Sequence, residues 1–97
     1  MADYLYLHWR SYWRKEWSSP GTLCLGVGSY LVGWSDGGFD SKLGGTASFI
    51  IMAYSNNTWM RLAAGGCFDK AARDSFQMEA IGAELLMTNL KMYTHWF

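Results

Sequence analysis

The sequence predicts an α+β domain: an antiparallel three-stranded sheet packed by a C-terminal helix and preceded by an aromatic N-terminal helix. Three observations carry this expectation. Apolar runs of strand length occupy residues 30–35, 46–54 and 58–64, each flanked by glycine or asparagine. Asn56-Asn57 separates the second run from the third and suits a tight hairpin, because asparagine tolerates positive φ. From Ser75 onward the apolar residues change to helical spacing.

Residues 1–17 hold three of the six tryptophans, Trp9, Trp13 and Trp17, spaced four apart. With Leu5 and Tyr12 they would share one side of a helix, while Arg10, Arg14 and Lys15 fall largely elsewhere. Such a helix is expected to pack on the domain; the alternatives are an aromatic nucleic-acid platform and, least favoured, attachment to a membrane surface. Ser18-Ser19-Pro20-Gly21 holds the only proline and breaks the chain. Residues 1–21 therefore read as an aromatic segment with its linker, and 22–97 as the domain proper. Residues 22–27 are a candidate extra strand. Residues 30–35 are apolar on both alternating faces, as in a strand buried on both sides, and Asp36 closes them. Gly37-Gly38 and Gly44-Gly45 bracket a loop, and Gly65-Gly66 ends the third strand. The helix runs over about 75–91. Asp74 with Gln77 three residues on resembles a capping box, and Met78, Ile81, Gly82, Leu85 and Met92 form the apolar stripe. Gly82 lies on that stripe, where a missing side chain would let the helix approach the sheet closely.

Size and composition bound the function. A chain of 97 residues supports one small domain. Hydrophobic residues make up 51 % and aromatics 18 %, which excludes a disordered tail. The formal net charge is zero, so no broad electrostatic pull on nucleic acid or acidic membranes is expected. Cys24 and Cys67 match no metal or disulfide pattern, and Cys67 reads as a small packing residue. With no secretory leader or membrane span in the sequence, an intracellular protein, cytoplasmic or nuclear, is expected.

The chemistry-bearing pair is Asp36, at the end of an apolar strand, and Glu79, early in the helix and at the border of its apolar stripe. Two-metal nucleases need several carboxylates converging on divalent cations, and magnesium prefers such hard oxygen ligands. Each residue also has an ordinary explanation. An Asp before Gly-Gly often forms a turn, and an early Glu favours the helix dipole. Their order, with a hairpin between them, is what points to a site.

Ser35-Asp36-Gly37-Gly38, the stretch from Gly44-Gly45-Thr46 to Ile51, and residues 75–86 together resemble the ribonuclease H family, in the form appended to retroelement reverse transcriptases. The resemblance spans roughly residues 30–92, the family's first three strands and first helix. It implies that Asp36 and Glu79 bind catalytic magnesium and that the ligand is an RNA–DNA hybrid whose RNA strand is hydrolysed. Glu84, in Ala83-Glu84-Leu85-Leu86, is the alternative helix carboxylate. The family pattern continues with a fourth strand ending in Asp and a later final Asp, whereas no Asp follows Asp74 here. Asp40 lies on the wrong element to replace either. The expectation is thus a truncated ribonuclease H-like domain, weak or inactive alone, with one edge of residues 30–35 bare. The alternative function is a small interaction module, such as a homodimer joined through that edge or a binder using the N-terminal aromatics. His8, His95, Lys42 and Arg61 carry no stronger signal than solvated surface groups.

Overall fold

The computed structural model describes residues 12–20, 23 and 26–94. Four strands and one helix follow in order: β1 (Trp13–Glu16), β2 (Tyr30–Asp40), β3 (Gly44–Ser55), β4 (Thr58–Asp69) and α1 (Ser75–Thr94). The sheet order is β1-β4-β3-β2, and every pair is antiparallel. The α+β class and C-terminal helix are as expected, but the sheet has four strands rather than three.

The fourth strand corrects the expectation of a helix over 1–17 where it can be seen: Trp13–Glu16 pairs with β4, Trp13 opposite Gly66 and Glu16 opposite Ala63. A spacing of four is compatible with both periods, since it nearly completes a helical turn and is also a multiple of two. The exposed edge of β4 decides between them by offering unpaired backbone groups to an extended segment. Residues 1–11 and half of the candidate strand at 22–27 lie outside the described residues, and residues 23, 26 and 27 are not in a strand.

Of the two hairpins, β3–β4 is the one the sequence announces. Asn56 and Asn57 have φ of 54° and 62°, so both occupy the left-handed region required by a two-residue hairpin turn. The β2–β3 hairpin departs from expectation. Asp36 does not close its strand, nor do the glycines after it form a turn; pairing runs unbroken from Tyr30↔Tyr54 to Asp40↔Gly44. The reversal falls at Ser41–Leu43, where Asp40 Oδ1 accepts from Lys42 N and Leu43 N at 2.8 and 2.9 Å. Likewise β4 continues through Gly65-Gly66 to Asp69.

Helix α1 starts where expected. Asp74 Oδ1 accepts from Gln77 N at 2.7 Å, and Gln77 Oε1 accepts from Arg73 N at 2.8 Å. The helix covers one face of β2 and β3. Met78, Ile81 and Leu85 share one buried cluster with Ala47, Phe49, Ile51 and Ala53 of β3 and Leu62, Ala63 and Cys67 of β4. Burying each large apolar side chain contributes about 1.5–3 kcal/mol. The lower half of the stripe differs from expectation: Asn89 and Tyr93 are buried, while Met92 is exposed.

Asn89 and Tyr93 are polar because they tie the helix to β1. Asn89 Oδ1 accepts from Arg14 Nε at 2.9 Å, its Nδ2 donates to Leu85 O at 2.8 Å, and Arg14 also donates to Tyr93 Oη at 3.2 Å and Glu16 Oε1 at 2.7 Å. The register shift between Ile51 and Met52 leaves Leu62 as an extra residue on β4, a bulge whose carbonyl accepts from Trp17 N at 2.8 Å.

The approach of α1 to β2 is set by two glycines. A Cβ at Gly37 would lie 2.3 Å from Glu79 N, and one at Gly82 would lie 2.8 Å from Asp36 O. Backbone obstructs Gly37, so no rotamer change relieves the overlap. Gly37→Ala is therefore expected to destabilise the fold by about 3 kcal/mol or more. Gly38→Ala, whose Cβ would meet only Thr46 Oγ1 at 3.5 Å, should be neutral or slightly stabilising. Urea unfolding of both variants checks this; equal midpoints would place the helix elsewhere.

Candidate functional site

Asp36 sits within β2, opposite Ser48 of β3. Side chains alternate along a strand, and the absent side chain of Gly37 points at α1, so Asp36 points to the opposite, open face of the sheet. Its Oδ1 accepts from Gly37 N at 3.0 Å, which folds the carboxylate back onto its own strand. Glu79 is exposed on α1. Residues 79 and 86 lie two turns apart on one helix flank. Leu86 meets β2, since a Cβ at Gly33 would lie 2.6 Å from Leu86 Cδ1. Glu79 therefore occupies the flank of the helix that faces β2.

The structure thus brings the backbones of the two acidic residues together at Gly37. Their side chains approach β2 from different sides, Asp36 from the open face and Glu79 from the helix. Among the described residues nothing pairs with the outer edge of β2. Glu84 lies about 140° around the helix from Glu79, on its exposed outer side, and does not reach this edge. Asp40 is committed to the β2–β3 turn. Lys42 lies in that same turn, and His8 and His95 lie outside the described residues.

Carboxylate oxygens suit magnesium, and two of them flank one strand edge. Among the described residues no group of three or more His, Cys, Asp or Glu side chains is placed to hold a metal. Asp36 and Glu79 are two hard-oxygen donors that stand on different sides of β2.

The feature that sequence reasoning missed is the open face itself. Register places Tyr30, Tyr54 and Trp59 in one row across β2, β3 and β4, and Trp34, Ile50, Ala64 and Lys15 in another. Trp13, Trp17, Tyr30, Trp34 and Trp59 are between 40 and 54 % exposed. Tyr30 stacks on Tyr54 at 5.3 Å between ring centroids, and Trp59 meets Tyr54 at 5.0 Å and Trp34 at 6.2 Å. Lys15 Nζ lies 5.2 Å from the centre of the Trp17 ring, and the Arg61 guanidinium lies 5.3 Å from it. Beside Trp34 a shallow depression of about 220 Å³ is lined by Ser35 and Asp36 and by their neighbours Ser48, Phe49 and Ile50. The signal in the sequence was the alternation of aromatics along residues 30–34, which resembled two-sided burial.

Comparison with protein-family models, curated proteins and solved structures finds no match to this chain. No helix among the described residues is long and apolar enough to cross a membrane.

Cys67 is buried in the core, as its reading as a packing residue requires. Burial, with a smaller contribution from the Asp69 charge, pushes its thiol up from 9.0 to about 11. Between those values the unfolded chain has lost the thiol proton and the folded chain keeps it, so the stability that burial contributes is lost as pH rises from 9 towards 11. Stability measured across that range should fall in the natural chain and fall less in Cys67→Ala. Parallel slopes would assign the alkaline limb to other groups.

Proposed function

We propose that these residues form the strand–hairpin–helix part of a ribonuclease H-like, magnesium-dependent nuclease domain, contributing Asp36 and Glu79 to a metal site that this chain does not complete. The observation that supports this reading is the crossing of α1 over β2 at Gly37. The helix that follows three antiparallel strands returns to the first of them and brings Glu79 beside the strand that carries Asp36. Magnesium at such a site would activate water and steady the leaving oxygen of a phosphodiester. The residues named would hold it through their carboxylate oxygens, Asp36 from the sheet and Glu79 from the helix. The ligand class that goes with this reading is an RNA–DNA hybrid.

Two carboxylates fall short of a two-metal site, so cleavage of a labelled RNA–DNA hybrid by the pure chain in magnesium should stay at background, in the natural chain and in Asp36→Asn alike. Robust magnesium-dependent turnover that Asp36→Asn abolishes would overturn the incomplete-site part of the proposal.

A second reading, self-association, is favoured by the outer edge of β2, which is eleven residues long. A second copy pairing there would continue the sheet across a two-fold axis. Sedimentation over a hundredfold concentration range should then show a monomer–dimer equilibrium, weakened by Ser35→Pro, which removes a donor from the outer edge, the side to which Gly37 two residues on also turns its N–H. A strict monomer throughout would dismiss it.

A further inference from the structure

The open face of the sheet carries a different chemistry from the β2 edge, and it does not depend on a metal. We propose that this face is a binding platform for single-stranded nucleic acid, with bases stacked on Trp34 and Trp59 and phosphates held by Lys15 and Arg61, which the Trp17 ring carries between them.

The first support is the rings. An exposed indole on a flat sheet presents its π surface to solvent, and nucleobases stack on such surfaces regardless of sequence. Trp34 stands on β2 and Trp59 on β4, with β3 between them; Lys15 and Trp17 belong to the β1 side. Neighbouring strands are about 4.8 Å apart, so Trp34 and the β1 edge are separated by roughly 14 Å, room for a few splayed bases. The depression beside Trp34 adds a place where a base can sit against the sheet, with Ser48 and Asp36 able to meet its polar edge.

The second support is charge. The chain is neutral overall, but the charges are not evenly placed. Lys15 and Arg61 converge on the Trp17 ring, and among the described residues the sole ion pair is Arg14–Glu16, so neither cation is neutralised by a carboxylate. The acids that β2 brings to this side, Asp36 and Asp40, are turned onto backbone N–H groups. Cations gather at the β1–β4 side and acids at the β2 side. A bound strand would therefore run its phosphates along β1 and β4 and point its bases towards Trp34. A second copy packed face to face is a poorer occupant, because it would bury Lys15 and Arg61 without partners.

The test uses the full chain in EDTA, which separates this proposal from the metal site. Binding of fluorescein-labelled twelve-nucleotide oligo-dT and oligo-U is followed by anisotropy and tryptophan quenching at several salt concentrations. The expected result is saturable, salt-sensitive binding that weakens at least tenfold in Trp34→Ala/Trp59→Ala. In Lys15→Gln/Arg61→Gln, whose exposed substitutions spare the core, the salt slope should shrink by roughly 1.4, the share of two single-strand phosphates. No binding at low salt, or binding indifferent to both double variants, would overturn the proposal. So would a dimer in the natural chain that the tryptophan variant converts to monomer, because a second copy would then be the occupant.

Discussion

The close contact between α1 and β2 is the constraint on which the rest of the structure depends. Two backbones meet where Gly37 and Gly82 leave no side chain between them. That proximity lets a single helix lie flat on β2 and β3 and bury Met78, Ile81 and Leu85 in the core. In a domain of this size each of those side chains is a large share of the total stability. The same contact determines the register of the helix, and so decides that Glu79, rather than Glu84, faces β2.

With the N-terminal half of α1 placed over β2, its C-terminal half is held at the other side of the sheet by polar groups. Arg14 reaches under the helix to Asn89 and Tyr93, and the Leu62 bulge turns a carbonyl towards Trp17 and Ser18. Every buried polar side-chain atom among the described residues has a hydrogen-bond partner. A buried network of this kind is favourable only when complete, since removing Arg14 would leave Asn89 Oδ1 with only the long Tyr12 Oη bond of 3.4 Å. The short β1 strand is thus tied to the fold by side chains as well as by its ladder with β4.

These two anchors leave the functional surfaces on either side of one strand. The outer edge of β2 collects the carboxylates that support the nuclease-like reading, and the face away from the helix collects the aromatics and cations. Asp36 belongs to both surfaces, because alternation turns its side chain to the open face while its backbone touches α1. The proposed metal binding at the edge and the proposed stacking on the face are chemically independent, since one needs hard oxygen ligands and the other exposed π surface.

The sequence alone determined the features that rest on local chemistry. Asn56-Asn57 could adopt the left-handed conformations of a tight hairpin, Asp74 could cap the helix, and the spacing of Met78, Ile81, Gly82 and Leu85 could form only one buried stripe. Tertiary structure decided what local chemistry leaves open. The glycine pairs at 37–38 and 65–66 read as breakers because glycine favours turns, yet they lie inside strands where another backbone must come close. The tryptophan spacing of four fits a helix or a strand, and the unpaired edge of β4 chose the strand. Residues 30–34 looked buried on both sides, because hydrophobic alternation reports apolar character and cannot say which face a helix will cover.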